Sequence, residues 1–270
     1  MNGEFVYVDG EIPYYQSKKF NEYGIKHAFF TKKGGVSEGV FESLNFAVGI
    51  GDVKDDEANV FENHVRAASL FELGADDICR SYQTHTDVVE IATISDRGRG
   101  LTKPPYDHGV DGMVTTEKSL LLSVRSADCV PILLCDTEKR VCGAVHAGWR
   151  GTVSGIAKNA VEKMVLLGAS RENIVAAIGP CIGTCCYEVG FELLEAFCGK
   201  NQEYSRFFTP NGDKYMLDLN RANEAVLICS GVRPENISIS NICTKCNSHQ
   251  FFSHRVSGSA RGTMSAFICL

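Results

Sequence analysis

Two histidines and one cysteine of this 270-residue chain stand at polar breaks beside apolar runs: His85 precedes one run, Cys129 lies between two, and His146 lies where a strand-like run meets a helix-like one. Two imidazoles and a thiolate are ligands that Zn²⁺ accepts, and a three-ligand set leaves a fourth position open, as catalytic zinc sites do. Their spacing matches no short zinc signature. A buried thiol with two hydrogen-bonded histidines is therefore the alternative.

The segment from His146 to Gly151 is the densest concentration of chemically useful residues. Two glycines flank the pair Trp149-Arg150 just before a helix-like pattern. Glycine permits close backbone approach, and a helix start offers free N–H groups and the positive end of its dipole. The Arg150 guanidinium adds a planar fork suited to phosphate or carboxylate. These features predict an anion pocket beside a metal ligand; the alternative is a turn with a surface arginine and a packed tryptophan.

Two loops hold further groups of cysteines. Residues 181–186 end in a vicinal pair, whose geometry disfavours a disulfide and favours free thiols. Cys243 and Cys246 are followed by His249 and His254, a set that suggests a small structural zinc site. The gap from Cys246 to His249 is too short for a zinc finger. We place both loops near the cleft and assign them no firm role.

The composition argues against several classes of function. With 27 Lys and Arg against 33 Asp and Glu, the formal net charge is −6, which disfavours a broad electrostatic contact with nucleic acid or an anionic membrane. No apolar run approaches the length of a membrane span, and the start of the chain lacks the features of a secretory signal. The twelve cysteines are therefore expected to be thiols in a reducing, cytoplasmic compartment.

Three segments show helical periodicity. The first follows the cap candidates Asp55 and Asp56, the second follows Thr152 and ends at Gly168, and the third ends at Gly231. The apolar faces expected for these helices are Ala58, Phe61, Val65 and Ala68; Val153, Ile156, Ala157, Ala160, Met164 and Leu167; and Leu219, Ala222, Val226 and Cys229.

Strand-like runs lie between the helices, and several are continuously apolar, which is typical of strands covered on both faces. Residues 137–140 predict a hairpin loop, and residues 95–109 a long loop. The mixture predicts one α+β domain over residues 1–270, a layered sandwich of mixed β-sheets flanked by helices. The predicted strands are 25–30, 88–91, 120–124, 130–135, 141–145, 174–178, 237–239 and 264–269.

The chain resembles the YfiH-like laccase-domain proteins, a family whose members are called multicopper polyphenol oxidases and purine nucleoside phosphorylases. Three motifs, in this order, carry the resemblance: Gln83-Thr-His85, Ala127-Asp-Cys-Val-Pro131 and His146-Ala-Gly-Trp-Arg-Gly151. Further matches are Phe30-Thr-Lys-Lys-Gly-Gly-Val-Ser37, Ser43-Leu-Asn45, Asp111-Gly-Met-Val114, Gly179-Pro-Cys-Ile-Gly183, Cys186-Tyr-Glu-Val189 and Phe251-Phe-Ser-His-Arg255.

The resemblance implies a zinc ion held by His85, Cys129 and His146. Members of the family are credited with phosphorolysis of adenosine, inosine, guanosine and methylthioadenosine, and with adenosine deamination. Other members are credited with copper-dependent phenol oxidation, and a bacterial branch with removing misincorporated serine from a peptidoglycan precursor.

The same resemblance places the substrate among the conserved motifs as they stand in this chain. We expect phosphate near Arg150 and Lys32, with substrate contacts from Asn45, Gln83 and Arg255. Many relatives carry arginine at the position of Lys32, which keeps the charge but not the bidentate fork.

Two positions near the expected site carry alternatives. Asp128 precedes Cys129 and is a candidate general acid or a residue that orients a metal ligand, with a simple turn aspartate as the alternative. Near the C-terminus many relatives read Thr-Gly-Arg-Met, whereas this chain reads Arg-Gly-Thr-Met from Arg261. If that arginine contacts phosphate in relatives, Arg261 or Arg255 must replace it here.

These expectations favour a zinc-dependent purine nucleoside phosphorylase acting on small molecules, purine nucleosides and phosphate, with adenosine deamination as a second activity. Three alternatives stay open. The first is a copper-dependent polyphenol oxidase, since Cu²⁺ can displace Zn²⁺ at a Cys/His site in vitro. The second is an amidase that releases serine, and the third is a non-enzymatic module stabilised by zinc.

Overall fold

The computed structural model describes residues 4–49 and 53–270. The first three residues, part of the segment considered for a secretory signal, lie outside this range. No helix within the described ranges has both the length and the apolar character needed to cross a membrane. The strands are β1 Phe5–Val8, β2 Tyr14–Ser17, β3 Lys26–Phe30, β4 Ile78–Arg80, β5 Val89–Ile91, β6 Gly112–Thr115, β7 Leu121–Ser126, β8 Val130–Asp136, β9 Val141–Ala147, β10 Ile174–Ile178, β11 Glu188–Val189, β12 Phe208–Asn211, β13 Lys214–Leu217, β14 Ile237–Ile239 and β15 Met264–Cys269.

Helices are interspersed among these strands. The α-helices are α1 Lys18–Glu22, α2 Glu57–Ser69, α3 Trp149–Ser154, α4 Ile156–Leu166, α5 Phe191–Lys200, α6 Leu219–Cys229 and α7 His254–Ser257. Short 3₁₀ helices span Gly39–Phe41, Ala75–Asp77, Ile94–Asp96, Arg171–Asn173, Gln202–Phe207 and Pro234–Asn236.

Two six-stranded sheets form the body of the fold, with strand orders β1-β2-β3-β15-β7-β4 and β14-β10-β8-β9-β6-β5. A smaller sheet has the order β11-β13-β12. Most neighbouring strands are antiparallel, but β4 with β7, β5 with β6, and β10 with β14 are parallel. The sheets are therefore mixed.

The two large sheets pack face to face, and helices cover their outer sides. Along β8, Leu133 packs into the core shared with the first sheet, where it joins Leu122 of β7. The alternate residue Leu134 packs on the other side, together with Met164 of α4 and Val226 of α6. Residues of α2 cover the outer side of the first sheet. This layering confirms the predicted α+β sandwich and explains the continuous apolar runs, since both faces of the central strands are buried.

All eight predicted strand runs form strands, and their ends agree with the prediction or differ from it by at most two residues. The loop 137–140 joins β8 to β9, in which Asp136 pairs with Val141, so the hairpin is confirmed. The sequence patterns did not predict β1, β2, β4, β6, the small sheet, α1, α5 or α7. Several of these strands are short and partly exposed, and they lack a continuous apolar run.

The first predicted helix exists, but its predicted buried face is only partly correct: Ala68 is buried and Val65 half-buried, whereas Ala58 and Phe61 are exposed. Asp56 caps α2 by accepting a hydrogen bond from the N–H of Ala58, whereas Phe61 is 41% exposed. The buried face includes the polar Asn63, whose Nδ2 donates to the carbonyl of Asn45 at 2.9 Å and whose Oδ1 accepts from the N–H of Val36 at 2.9 Å. The helix turns this amide inward because it satisfies buried backbone groups of the neighbouring loops.

The second predicted helix begins earlier and is interrupted. Gly148 is the N-cap of α3, so Thr152 lies inside the helix and its hydroxyl donates back to the Gly148 carbonyl at 3.0 Å. Gly155, with φ of +88°, separates α3 from α4 because it takes the left-handed conformation that glycine allows. The third predicted helix, α6, is confirmed and is followed by Gly231. Leu219, Ala222 and Val226 of its predicted apolar face are buried, whereas Cys229 is exposed.

Candidate metal centre and its two cavities

The fold brings His85, Cys129 and His146 together. Their ligand atoms all lie within 4.8 Å of one another, and Cys129 Sγ lies 3.9 Å from His85 Nε2. His146 lies on β9, which forms a hairpin with β8. Cys129 directly precedes β8, and Pro131 of β8 pairs with His146. His85 enters from the loop between β4 and β5. We call this group the strand-end centre.

A buried carboxylate missed by the sequence analysis holds this centre in place. Asp111 accepts hydrogen bonds from the backbone N–H groups of Thr84 at 3.0 Å, His85 at 3.1 Å and Thr86 at 2.9 Å. These bonds hold His85 at a φ of +64°, which side chains rarely adopt. Asp111 also contacts His146 Nδ1 at 2.8 Å, which leaves Nε2 for a metal. A carboxylate partner for His146 could have been expected, because a ligating histidine commonly donates its other N–H to a carboxylate.

The charges of the centre depend on one another. Burial opposes ionisation of Cys129, but His146 and His85 lower the pKa of this thiol to about 6. Burial also opposes the imidazolium, yet Cys129 and Asp111 raise the pKa of His146 to about 9. The metal-free centre therefore favours a thiolate beside an imidazolium at neutral pH. A divalent cation that replaces the His146 proton would meet two nitrogens and one thiolate, a donor set that suits Zn²⁺.

Gly148 shows why the motif that follows His146 contains glycine. A Cβ atom at this position would lie 3.0 Å from His85 Cδ2 and 3.1 Å from Cys129 Sγ. Both contacts are tighter than ordinary packing allows. The backbone of β9 can therefore pass the centre closely only with glycine here.

One cavity beside the centre is cationic. This arginine cavity, of about 510 Å³, is lined by the three ligand residues and by Arg80, Arg125 and Arg261. The Nε atoms of Arg125 and Arg261 are buried without a hydrogen-bond partner. Burial and the nearby Arg125 lower the pKa of Arg80 to about 9, which leaves it protonated at neutral pH. Among the described residues, no Asp or Glu lines this cavity and no ion pair joins these arginines.

A second cavity also borders Cys129 and is richer in apolar groups. This aromatic cavity, of about 360 Å³, shares His85, Ala127, Cys129 and Arg261 with the first. Its walls include Trp149 and Tyr187. The remaining lining residues are Asp128, Arg150, Ile182, Leu219, His254 and Arg255. The candidate metal centre thus borders both a cationic cavity and an aromatic one.

Asp128 lies beside the centre, but its carboxylate is fully engaged. Oδ1 accepts from the hydroxyl of Thr244 at 2.6 Å, and Oδ2 accepts from the hydroxyl of Ser253 at 3.0 Å and the N–H of Arg255 at 2.7 Å. Asp128 adopts a φ of +89°. This geometry favours the alternative of a structural aspartate in the turn that carries Cys129 over a role as general acid, because three donors already occupy its carboxylate oxygens.

Asn45 and Gln83 support the cavity wall. Asn45 is fully buried, and its amide bonds Ala47, Asp55 and the N–H of Thr263. Gln83 lines the arginine cavity, but its amide pairs with both the N–H and the carbonyl of Arg125, at 2.8 and 2.6 Å. These bonds favour a role in positioning the wall over the predicted substrate contact, most clearly for Asn45.

The basic residues predicted from the sequence are less favourably placed than the three arginines. Lys32 lines a separate cavity of about 420 Å³, which meets the site only at Arg261. Arg150 is exposed and its guanidinium lies over the Trp149 ring, 4.3 Å from the centroid. Arg255 lines the aromatic cavity and donates to the carbonyl of Glu188 at 2.9 Å. The anion pocket predicted at Trp149-Arg150 therefore has a stronger competitor in the arginine cavity.

The sequence and the mixed-sheet sandwich of this chain have known counterparts. The family described as multi-copper polyphenol oxidoreductase laccase matches residues 26–270. The chain is 35% identical over 247 residues to the purine nucleoside phosphorylase YlmD of Bacillus subtilis, which covers 89% of this chain and 86% of that protein. It is 36% identical over 234 residues to the adenosine deaminase RL5 of an unknown prokaryotic organism, covering 84% of this chain and 87% of that one.

A solved structure agrees with these relatives. The crystal structure of the Bacillus licheniformis protein YfiH superposes with a TM-score of 0.89 and 32% identity, and the match covers 100% of both chains. The chain therefore belongs to the multi-copper polyphenol oxidoreductase laccase family, which confirms the resemblance to YfiH-like proteins. The names of its relatives support a family role in nucleoside chemistry on small-molecule substrates.

Proposed function

We propose that this protein catalyses phosphorolysis of purine nucleosides, with phosphate bound in the arginine cavity and zinc at the strand-end centre. The observation that carries the proposal is the convergence of Arg80, Arg125 and Arg261 beside the centre, where two buried Nε–H groups have no partner. Asp111 and Asp128 act on Arg125 and Arg261 electrostatically but form no ion pair with them among the described residues, and a buried cation without a direct partner is costly. An oxyanion would supply both the missing charge and the missing acceptors, and arginine binds it bidentately.

The metal would be held by His85, Cys129 and His146, and would act as a Lewis acid toward charge that develops in the transition state. Two nitrogens and one thiolate form a donor set that suits zinc. Reduction of oxygen by a copper oxidase requires centres that are richer in histidine than this one. Within the described residues, the two clusters able to hold a metal are this one and a group of four cysteines. This chemistry supports zinc over the copper oxidase alternative.

The aromatic cavity is suited to the purine base. Trp149 and Tyr187 offer aromatic surface, while Ile182 and Leu219 add apolar wall. A nucleoside bound there would place its ribose near Cys129, between the base and the arginine cavity. Phosphate could then attack the anomeric carbon from one side as the purine departs on the other. Holding both reactants close together and in the right orientation supplies a large part of the rate enhancement in group-transfer reactions.

The direct test combines purified protein with inosine and phosphate and follows hypoxanthine and ribose 1-phosphate by chromatography. We expect both products, in equal amounts and only when phosphate is present. Cys129→Ala should reduce turnover to background, since the thiolate ligand is lost. Hypoxanthine release that needs no phosphate, or equal rates in both proteins, would contradict the proposal.

The phosphate subsite is tested separately with charge-removing variants. Arg261→Gln should raise the KM for phosphate about tenfold to a hundredfold, because a hydrogen bond to a charged group contributes roughly 1.5–3 kcal/mol. Lys32→Gln and Arg150→Gln are the matched controls and should change this KM much less. A larger effect from either control would move the phosphate site to the position first predicted from the sequence.

Adenosine deamination is a second candidate, favoured by the similarity to a relative named adenosine deaminase. It uses water and needs no phosphate. We expect inosine and ammonia from adenosine in phosphate-free buffer. Arg80→Gln, which changes a residue that lines the arginine cavity but not the aromatic cavity, should retain this activity while phosphorolysis falls. If Arg80→Gln lowers both activities equally, the arginine cavity does not act as a separate phosphate subsite.

Two remaining alternatives predict different results. A serine-releasing amidase would liberate serine from a muramyl peptide precursor and leave inosine intact. A zinc-stabilised binding module would unfold when a chelator removes the metal, whereas the proposed enzyme should lose activity with its sheets retained. Circular dichroism recorded beside the activity assay separates these outcomes.

A further inference from the structure

A second group of sulfur ligands lies away from both cavities. Cys185, Cys186, Cys243 and Cys246 place their sulfur atoms within 4.8 Å of one another. We call this group the tetracysteine cluster. None of its members lines the arginine or the aromatic cavity. His249 and His254, which the sequence suggested as partners of Cys243 and Cys246, are not part of it.

The spacing of these sulfur atoms suits a single tetrahedral ion. Cys246 Sγ lies 3.5 Å from both Cys185 Sγ and Cys186 Sγ. Zinc–sulfur bonds of about 2.3 Å at tetrahedral angles separate sulfur atoms by about 3.8 Å. The four cysteines are unpaired thiols. Four thiolates with no open position are the ligand set of structural rather than catalytic zinc.

The backbone around the cluster is arranged as two turns that meet. The N–H of Gly183 donates to Cys243 Sγ at 3.3 Å, and a Cβ at Gly183 would lie 3.2 Å from Cys243 Cβ. The N–H of Thr244 donates to the carbonyl of Cys181 at 2.9 Å, which joins the two turns directly. Each turn contributes two of the four sulfur atoms.

We propose that the tetracysteine cluster is a structural zinc site that fastens the 181–187 turn to the 243–247 turn. The fastening reaches the strand-end centre through Thr244, whose hydroxyl donates to Asp128, the neighbour of Cys129. The carbonyl of Asp128 also accepts from the N–H of Ile182 at 2.9 Å. A metal in the cluster would therefore brace both segments that hold Asp128.

Metal content of protein purified without chelator tests the site. Cys129→Ala should retain one zinc per chain, held by the cluster, and Cys246→Ser should lose one zinc relative to the parent protein. Cys229→Ser, an exposed cysteine outside the cluster, should lose none. A metal-free Cys129→Ala protein, or full zinc in Cys246→Ser, would overturn the proposal. If the strand-end centre holds no zinc, Cys129→Ala should instead have the same zinc content as the parent protein.

Alkylation of the unmodified protein covers the case in which Cys246→Ser does not fold. Cys185, Cys246 and Cys229 are all exposed, but burial and hydrogen bonds with neighbouring thiols raise the pKa of Cys185, so each cysteine is compared with itself before and after chelation. We expect N-ethylmaleimide to label Cys185 and Cys246 faster once a chelator is added, and Cys229 to react at the same rate in both cases, as read by peptide mass spectrometry. Labelling of Cys185 and Cys246 that chelation does not change would reject the site, as would a disulfide within the cluster in freshly purified protein.

Discussion

The strand-end centre and the tetracysteine cluster use sulfur in opposite surroundings. The first places one cysteine and two histidines at the ends of packed strands, where Asp111 fixes two ligand segments from within the core. The second gathers four cysteines on two surface turns, and two of the four are exposed. A rigid frame can hold three ligands and keep a fourth position open, whereas flexible turns need a closed set to be held by the ion. This difference assigns chemistry to one region and support to the other.

The largest expected effect separates the two regions by activity. Cys129→Ala should abolish phosphorolysis of inosine, while Cys246→Ser should keep turnover within a few-fold of the parent protein and lower its melting temperature. The reason is that only Cys129 faces the cavities. Steady-state assays and thermal denaturation of both variants provide the measurement. If Cys246→Ser is completely inactive while circular dichroism shows an intact fold, the assignment of a purely supporting role to the tetracysteine cluster is wrong.

The next effect tests the support that the strand-end centre receives from the core. Asp111→Asn should lower metal affinity about tenfold to a hundredfold, since the loss of the carboxylate that hydrogen-bonds a ligating histidine has effects of this size. It should also destabilise the protein by roughly 2–4 kcal/mol, because an amide cannot accept all the buried N–H groups that Asp111 now satisfies.

Zinc competition titrations and urea unfolding measure these two quantities. Asp107→Asn is the matched control, because the Asp107 side chain is 96% exposed, and it should leave both unchanged. An Asp111→Asn protein with native metal affinity would show that His146 does not depend on its carboxylate partner.

A smaller effect concerns thiol reactivity in metal-free protein. The pKa of Cys129 is lowered to about 6, whereas burial, together with the hydrogen bond to Cys246, raises the pKa of Cys186 to about 11. The thiolate is the nucleophile. Between pH 7 and pH 9 the alkylation rate of Cys129 should therefore change little, and that of Cys186 should rise by about tenfold per pH unit. Iodoacetamide labelling of chelated protein with peptide mass spectrometry follows both; parallel pH profiles would contradict the contrast.

The smallest effect tests the link between the regions. Thr244→Val removes the hydroxyl that donates to Asp128 while keeping the side-chain shape. We expect a destabilisation of about 1–3 kcal/mol, the usual cost of leaving a buried acceptor with one partner fewer, and a modest fall in turnover. Thr209→Val, at an exposed position of β12, is the control. Turnover identical to that of the parent protein would show that the turns do not brace the strand-end centre.

Much of the fold was predictable because burial leaves a local trace. The apolar runs of β8, β9 and β10 are continuous since both faces of these strands are covered. The face of α2 was partly mispredicted for the converse reason: hydrophobic periodicity assigns polar residues to solvent, whereas Asn63 is buried and bonds the neighbouring loops.

The candidate site divides in the same way. The motifs around His85, Cys129 and His146 identified a ligand set that the fold brings within 4.8 Å. The roles first expected for Asn45 and Lys32 depended on which way side chains point and what already occupies their hydrogen bonds. Neither property is visible in residue type or spacing.

The sequence by itself determined the apolar strands, the hairpin at 137–140, the family and the three candidate metal ligands, because each is encoded in contiguous residues. Tertiary structure alone decided that Arg80, Arg125 and Arg261 line one cavity and that four cysteines from two distant loops meet. These groupings depend on sheet order and on which strand ends are neighbours. Sheet order follows from packing over the whole chain, and no local pattern reports it.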